Sequence, residues 1–326
     1  MKKFGDPTDR RLMTNIISHK TDWQRPKKLR IGIIGLSVHS AAFTEIVNSE
    51  KKDPAFAGCK VVALYEPPVN KDVEFSEKQI SDFKSTIKNH GVTLVDSMDA
   101  VLKKSDAIMI LTNDGRPHLE EIVAVFKTGK PVYVDKPLAD TFQGVKAIFN
   151  AAKEYNVPIF TSSALRYGDG FQSDIQNGTI GKVLGGEAYG PAPIQRAHVD
   201  LFWDGIHGVE LLYTIMGSGC QSVWRVNKDD EDVVFGIWED GRIGTFRGIR
   251  KGKIGFGGRA FGLDGIAIMG SFGGYKPLVV EIVKFLRSGI SPVRNEETLE
   301  LYAFMEAAKR SKDSNGRLIN ISDILY

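Results

Sequence analysis

The sequence predicts an α/β protein, in which a doubly wound, Rossmann-type parallel sheet precedes an α/β domain with a predominantly antiparallel, open-faced sheet. Short apolar segments alternate with amphipathic ones from residue 31 to residue 163, as is typical of parallel β-α-β units. Beyond residue 163, strand-like segments follow one another directly, and residues 239–242 (Glu-Asp-Gly-Arg) have the composition of a hairpin turn. We therefore expect one domain over 31–163 and a second over 164–326.

Length, charge and cysteine content narrow the class of protein. The 326 residues are enough for two hydrophobic cores, and the formal net charge of +3 comes without a dense basic stripe, so nucleic acid is not an expected partner. Two cysteines make neither a metal motif nor a disulfide framework, and no apolar run is long enough to cross a bilayer. We expect a cytoplasmic protein without a metal site. Residues 1–30 are polar, charged and without clear period, and are expected to form an arm, either docked or disordered.

The first expected strand, residues 31–36, leads into a helix expected over 41–48. Dinucleotide-binding proteins carry Gly-x-Gly-x-x-Gly in this turn, and the aligned residues here are Gly35, Ser37 and Ser40. Ser40 is small enough for close packing, and the Ser37 hydroxyl can donate to a phosphate oxygen at the helix N-terminus. We predict that these three residues and His39 bind a dinucleotide; a plain strand–helix turn is the alternative.

The second expected strand, residues 61–65, ends at Glu66. A carboxylate at this position can accept hydrogen bonds from both ribose hydroxyls of an adenosine and repels a 2′-phosphate. Glu66 therefore favours NAD over NADP as the cofactor. The alternative is a solvated acid before the Pro67-Pro68 turn.

The alternation then continues towards the predicted ligand edge. Thr112 and Asn113 follow the most apolar strand and are expected to contact the cofactor, because ligands bind beyond the carboxyl ends of parallel strands. The expected elements are a helix capped by Ser76 over 76–89, a strand over 92–95, a helix over 98–103, a strand over 107–112, a loop over 113–118 and a helix over 119–127.

Residues 129–138 are the stretch around which the first domain is organised. Residues 132–134 (Val-Tyr-Val) are expected to form a buried parallel strand, which ends in Asp135, Lys136 and Pro137. Lys136 is thus expected at the cofactor and substrate edge of the sheet, with Asp135 beside the cofactor. On its own this stretch fits a surface turn with a solvated lysine equally well. A helix over 141–155 and a strand over 158–162 complete the domain.

The second domain carries an acid and a histidine on one expected helix, residues 201–216. Asp204 and His207 are three residues apart, and Gly205 and Gly208 beside them suggest close approach by a ligand or another backbone. A histidine hydrogen-bonded at a domain interface is the alternative. The other expected elements are a helix over 171–176, strands over 183–189, 222–227, 232–238, 242–249, 257–263 and 265–269, and helices over 277–287 and 296–312.

Together these pieces resemble the Gfo/Idh/MocA family of oxidoreductases. The resemblance covers residue 31 to the end and rests on Gly35 to Ser37, on Thr112 and Asn113 with His118, on residues 129–137, and on Asp204 with His207. It implies that Lys136 and the Asp204–His207 pair meet at a nicotinamide, and that hydride is exchanged with a sugar, a cyclitol or a derivative. Asp135 stands where the family has glutamate, and Ser37 replaces the second glycine.

The chemistry of these side chains agrees with that role. Oxidation of a secondary alcohol needs a hydride acceptor and a base, and the His207 imidazole suits the base because it titrates near neutrality. Lys136 can hydrogen-bond the same oxygen, and Asp204 can hold the His207 tautomer or bind a neighbouring hydroxyl. Further polar candidates for a polyol, each of which fits a solvated loop better, are Arg166, Tyr189 and His198, followed by Tyr167, Arg196 and Asp200.

Two other functions remain open from the sequence. One is an NAD-retaining nonredox enzyme of glycosidase type, and the other is a cofactor-binding sensor without turnover. Whichever function holds, we expect a small-molecule partner and no membrane association. The second sheet has no obvious cover on one face, and we expect that face to pair in a homodimer or homotetramer.

Overall fold

The computed structural model describes residues 28–51, 53–168, 174–175, 177–269 and 272–326. The expected arm lies outside them apart from its last three residues, and so does most of the expected helix over 171–176. In the described part of the chain the strands form a six-stranded and a seven-stranded sheet. The predicted fold class, a parallel sheet followed by a mainly antiparallel one, is confirmed.

The first sheet is parallel throughout and has the strand order β3-β2-β1-β4-β5-β6. The order reverses between β1 and β4, and ligands of doubly wound sheets bind at such a point. Its strands are β1 (Leu29–Ile34), β2 (Cys59–Tyr65), β3 (Thr93–Val95), β4 (Ala107–Ile110), β5 (Val132–Val134) and β6 (Ile159–Phe160), and its helices are α1 (Val38–Asn48), α2 (Glu77–Asn89), α3 (Met98–Lys104), α4 (His118–Phe126) and α5 (Phe142–Tyr155).

The last strand of this sheet is shorter than predicted. β6 has two residues, because it lies at the edge and pairs only with β5, through Val132 with Ile159 and Tyr133 with Phe160. Ser162 and Ser163, expected in or just after the strand, lie beyond this ladder. Their polar groups therefore form contacts at the carboxyl edge of the sheet and not within the strand ladder.

The second sheet has the order β12-β11-β7-β10-β9-β8-β13 and is antiparallel except between β7 and β10. Its strands are β7 (Val183–Pro191), β8 (Cys220–Asn227), β9 (Glu231–Trp238), β10 (Ile243–Ile249), β11 (Gly257–Gly262), β12 (Ile266–Ile268) and β13 (Ile319–Asn320). The remaining helices are α6 (Gly205–Met216), α7 (Lys276–Ser288), α8 (Asn295–Asp313) and α9 (Ser322–Leu325).

Helix α6 covers one face of the second sheet by contacts with β7 and β10. Gly208 is needed for this packing, because a Cβ atom there would lie 2.2 Å from the Phe246 ring. A Cβ atom at Gly205 would lie 2.9 Å from the Leu201 side chain. The two glycines are therefore explained by protein packing, and the expected approach of a ligand to them is corrected. Asp204 also precedes the helix instead of lying within it.

Helix α7 returns to the first sheet although it is late in the sequence. Leu278, Val279, Ile282 and Phe285 are buried in the same core cluster as residues of α1 and of the first sheet. The second part of the chain therefore contributes a wall on the α1 side of the first sheet. Among the described helices, none is both long and apolar enough to cross a membrane.

Candidate functional site

A cavity of about 240 Å³ lies beyond the carboxyl ends of β5 and β6, between the two sheets. The first turn of α1, the residues after β5 and β6, one face of α6 and the start of α7 all contribute to it. Its lining residues are Val38, His39, Asp135, Lys136, Ser162, Ser163, Ala164, Leu165, His207, Phe256, Phe272, Tyr275 and Leu278.

The two residues on which the catalytic prediction depends line this cavity together. Lys136 follows β5 of the first sheet, and His207 lies in the first turn of α6 on the second. Burial lowers the pKa of His207 well below its usual value, and the positive charge of Lys136 lowers it further. Burial raises the pKa of Asp204, while Lys136 opposes that rise. The charge of Lys136 thus acts to lower the pKa of both Asp204 and His207.

Ser163 orients the His207 ring, and the sequence analysis missed it. The Ser163 Oγ lies 2.6 Å from His207 Nδ1 and also accepts the Leu165 N–H at 3.2 Å. Ser163 is buried, so its hydroxyl proton needs an acceptor, and Nδ1 is the acceptor in contact. We therefore assign the hydrogen of the neutral imidazole to Nε2, the nitrogen left for a ligand.

The buried carboxylate of Glu210, one turn after His207, holds the chain before Ser163 in place. It accepts hydrogen bonds from the Ser162 hydroxyl and from the Ser163 N–H, the latter at 2.7 Å. It also pairs with Arg166 Nε at 2.8 Å, and Arg166 Nη2 reaches Glu297 at 2.8 Å. Arg166 is therefore buried between two carboxylates and outside the cavity lining, which corrects its expected role in substrate binding.

The other expected substrate residues also lie elsewhere. Tyr189 lies on the face of β7 opposite to Ala188 and Gly190, which are buried towards α6, and is 40% exposed. Of the further candidates, Arg196 is exposed and Asp200 pairs with Arg225 at 2.5 Å. Tyr167 packs against the core of the first sheet. None of these residues lines the described cavity.

His198 is part of a buried contact between the domains. Its Nε2 accepts the Gly115 N–H at 3.1 Å, and its ring packs against Trp203 with a centroid separation of 4.6 Å. Burial lowers the pKa of His198 to about 4, against the opposing effect of the Asp114 carboxylate. His198 is therefore a neutral structural histidine here, and its expected contact with substrate is corrected.

The β1–α1 turn has the geometry that a dinucleotide needs. Gly35 has a φ of +102°, and a Cβ atom there would lie 2.2 Å from the backbone nitrogen of Thr112. The Ser37 Oγ accepts the Ser40 N–H at 3.3 Å, and Ser40 Oγ accepts the Ser37 N–H at 2.8 Å. Ser37 thus caps α1, and this use of its hydroxyl competes with its predicted role as a phosphate donor.

Glu66 lies in a groove with Gly35 and Thr112, as its predicted role at the ribose requires. It is not alone there, because Lys84 of α2 lies 2.7 Å from its carboxylate. Thr112 is buried, and its hydroxyl donates to Glu121 at 2.9 Å, so only its backbone is left for a cofactor. Asn113 is half-buried at the start of the following loop.

Asp135 and His39 form a pair that joins β5 to α1. The His39 Nδ1 hydrogen-bonds the buried Asp135 carboxylate. Burial acts to raise the pKa of Asp135, but the charge and hydrogen bond of His39 and the charge of Lys136 outweigh it and lower the pKa. The His39 ring stacks on Phe43 and meets Tyr275 edge-on, so its position is fixed on three sides.

Comparison with known proteins agrees with this geometry. Residues 29–163 match the Gfo/Idh/MocA model described as an oxidoreductase family with an NAD-binding Rossmann fold. Inositol 2-dehydrogenase of Azotobacter vinelandii (strain DJ / ATCC BAA-1303) is 29% identical over 134 residues, which are 40% of this chain and 37% of that protein. The corresponding enzyme of Serratia proteamaculans (strain 568) is 30% identical over 128 residues, 39% and 35% of the two chains. The chain thus spans little more than a third of the length of these curated relatives.

Solved structures extend the similarity of fold to most of the chain. The scyllo-inositol dehydrogenase of Lactobacillus casei with bound NAD(H) and scyllo-inositol has a TM-score of 0.70 at 15% identity, and the match covers 91% of this chain and 100% of that one. A probable dehydrogenase from Thermotoga maritima has a TM-score of 0.72 at 20% identity, with coverage of 91% and 100%. Residues 29–163 therefore match the Gfo/Idh/MocA oxidoreductase family through its NAD-binding Rossmann domain, which agrees with the resemblance seen over this part of the sequence.

Proposed function

We propose that the protein is an NAD-dependent oxidoreductase that transfers a hydride between nicotinamide and a secondary hydroxyl or keto group of a sugar, a cyclitol or a derivative. The observation that carries the proposal is the shared cavity of Lys136 and His207, which come from different domains and meet next to the β1–α1 turn. The inositol dehydrogenases among the relatives support the same reaction class.

The residues present fit the cofactor. The N-terminus of α1 would hold the pyrophosphate and Glu66 the adenosine ribose, while Asp135 and His39 form the cavity wall beside Lys136. When bound, the nicotinamide supplies the hydride acceptor or donor. The cofactor is then close to the two side chains that handle the proton.

The contacts of His207 indicate different roles for His207 and Lys136, one as a hydrogen-bond donor and the other in proton transfer. With Nδ1 engaged by Ser163, Nε2–H is a hydrogen-bond donor to the reacting oxygen. The depressed pKa of His207 keeps the ring neutral, so we assign the proton transfer to Lys136, the other polar side chain at this end of the cavity: it would give the proton to the oxygen in reduction and take it in oxidation. This assigns the base role, expected for His207, chiefly to Lys136.

The test of this function is a fluorescence titration of the whole chain with NADH, followed by a turnover screen over polyols, aldoses and their keto forms. We expect NADH to bind and a net change in NADH absorbance with at least one of these compounds. Binding without net redox change, together with bond cleavage, would favour the NAD-retaining nonredox enzyme. Absence of NADH binding would contradict the proposal.

Glu66→Ala is expected to lower the preference for NAD(H) over NADP(H) by about fivefold, the size of one exposed charge interaction. The carboxylate no longer repels the 2′-phosphate, and Lys84, 2.7 Å away, loses its partner and becomes available to that phosphate. Dissociation constants for NADH and NADPH measure the ratio. Glu77→Ala, an exposed acid in the same helix as Lys84, is the control. Tighter binding of NADPH by the unmodified protein would contradict the role of Glu66.

We further propose that the open face of the second sheet pairs in a homodimer or homotetramer. Ile243, Ile266 and Ile268 are 53%, 60% and 65% exposed, and they alternate with buried residues that face α6 or the sheet interior. Light scattering at micromolar concentration should give a multiple of the chain mass. Ile266→Lys should shift the population towards monomer, whereas Ile290→Lys, beyond the end of α7, should not. A monomeric unmodified protein would count against this pairing.

We place the protein in the cytoplasm, with a small molecule as its partner and neither nucleic acid nor membrane. The support is compositional: the two cysteines of the sequence make neither a metal motif nor a disulfide framework. Cell fractionation with an antibody to the chain tests this location.

A further inference from the structure

Apart from its polar end and the Tyr275 hydroxyl, the described cavity wall is apolar. Val38, Leu165, Phe256, Phe272, Tyr275 and Leu278 form it. Phe256 and Phe272 are 36% and 44% exposed, so they lie where the cavity meets solvent. Phe256 packs edge-on against His207 with a centroid separation of 5.6 Å, and Phe272 packs against Tyr275 at 5.2 Å. An aromatic surface therefore extends from the reacting end of the cavity to its mouth.

Most polar groups of the same lining are already engaged within the protein. The Ser162 hydroxyl donates to Glu210 and the Ser163 hydroxyl to His207. Asp135 and His39 Nδ1 bind each other. In the described lining this leaves the Lys136 amino group, the Tyr275 hydroxyl and the Nε2 atoms of His207 and His39 for a ligand. These groups suffice for one carbinol or carbonyl oxygen and one or two neighbours, fewer than the six oxygens of a hexahydroxy ring.

A free polyol fits this lining poorly. A hexahydroxy ring would bring several hydroxyls against Leu165, Phe256 and Phe272, and each hydroxyl that loses water without gaining a partner is expected to cost roughly tenfold in affinity. The sequence indicated Arg166 and His198 as candidates for binding such hydroxyls. In the structure Arg166 pairs with Glu210, and His198 accepts the Gly115 N–H. An apolar substituent on the ring would instead gain from burial against the two phenylalanines.

We propose that the substrate is a cyclic secondary alcohol or its ketone that carries an aromatic-sized apolar substituent and few further hydroxyls. This rests on the proposed function and narrows its substrate class to apolar derivatives. The reacting oxygen lies between Lys136 and His207, and the substituent lies on Phe256 and Phe272 at the mouth. In reduction, NADH gives a hydride to the carbonyl carbon, the C=O π pair becomes the oxygen lone pair, and Lys136 gives the proton, so that ketone, NADH and H⁺ become alcohol and NAD⁺.

The experiment compares three ketones of one ring size with the whole protein and NADH: 2-keto-myo-inositol, cyclohexanone and 4-phenylcyclohexanone. NADH oxidation gives kcat/KM. Myo-inositol and 4-phenylcyclohexanol are also titrated into the NADH-bound protein, and the change in cofactor fluorescence gives a Kd for each alcohol. The ratio of these two Kd values does not depend on turnover. We expect the phenyl compound to be preferred over the inositol compound at least tenfold in both measurements.

Variants test whether the preference for the phenyl-substituted ketone arises at the cavity mouth. Phe272→Ala is expected to reduce the ratio of phenyl to unsubstituted ketone about tenfold, because the removed ring packs on Tyr275 and not on Lys136 or His207. Ile290→Ala, a change of an exposed apolar residue outside the cavity, should leave the ratio unaltered. A ratio unaffected by Phe272→Ala would overturn the proposal that the apolar substituent binds at the cavity mouth.

The outcomes separate the two proposals. If NADH does not bind, the proposed function fails, and with it this inference. If NADH binds and the inositol compound has the higher kcat/KM or the lower Kd, the reaction class stands and the apolar substrate is wrong. If NADH binds and the phenyl compound is preferred, the inference is supported.

Discussion

Lys136→Ala is expected to lower kcat at least about a hundredfold while the Kd for NADH changes less than about threefold. The reason is geometric: Lys136 lines the cavity at the end of β5, whereas the pyrophosphate and ribose contacts are predicted at the β1–α1 turn and at Glu66, where the Lys136 side chain takes no part. Steady-state rates and NADH fluorescence measure the two effects separately. His207→Ala should reduce kcat to a similar extent, because Nε2 is the donor to the same oxygen.

Two controls make this result specific. Lys127→Ala removes an exposed lysine before the other end of β5 and should leave kcat within about twofold. Asp204→Asn keeps a hydrogen-bonding side chain beside Lys136 and should cost less than either alanine variant. If Lys136→Ala instead raised the Kd for NADH in proportion to its loss of kcat, Lys136 would be a cofactor residue and not a proton carrier.

A second large effect is expected in the stability of the protein towards acid. The pKa of His198 is about 4 in the fold and about 6.5 in the unfolded chain, so between these values the unfolded state binds more protons. His198 therefore contributes stability above pH 6.5, and this is lost as the pH falls towards 4. The loss amounts to about 2 kcal/mol by pH 4.5.

The comparison that isolates His198 is the free energy of urea unfolding at pH 7 and pH 4.5, for the unmodified protein and for His198→Gln. The glutamine keeps an acceptor for the Gly115 N–H but does not titrate. The difference in stability between the two proteins should shrink by about 2 kcal/mol at the lower pH. A pH-independent difference would mean that His198 is already protonated, or solvated, in the fold.

The sequence predicts those features that depend on local patterns. Alternating apolar segments gave the parallel sheet, and period and turn residues gave most element bounds to within a few residues. Gly35 was identified from its place in the dinucleotide fingerprint, and the structure explains the glycine by its positive φ and the close approach of Thr112. Lys136 was found because it follows a buried strand at the carboxyl edge of the sheet, and His207 because it is three residues after Asp204 in a glycine-containing helical segment that resembles the family motif.

Most of the errors have a different origin, since they depend on a partner distant in sequence. Arg166 looked available because its partner Glu210 is 44 residues away, and His198 because Gly115 is 83 residues away. The pairing of Glu66 with Lys84 and the orientation of His207 by Ser163 are likewise products of tertiary contact. Ser37 is the exception: a serine three residues before another serine is a local capping signal, and its competition with phosphate could have been foreseen.

The central claim is that Lys136 and His207 act on one oxygen, and the kcat/KM of the double variant Lys136→Ala/His207→Ala tests it most directly. With the fastest ketone of the ring series, or with the fastest compound of the polyol screen if the ring series fails, the double variant should be no more than about tenfold slower than the slower single variant, because groups that serve one proton do not contribute additively. Losses that multiply in full would show that the two side chains act on different atoms, and would contradict the account.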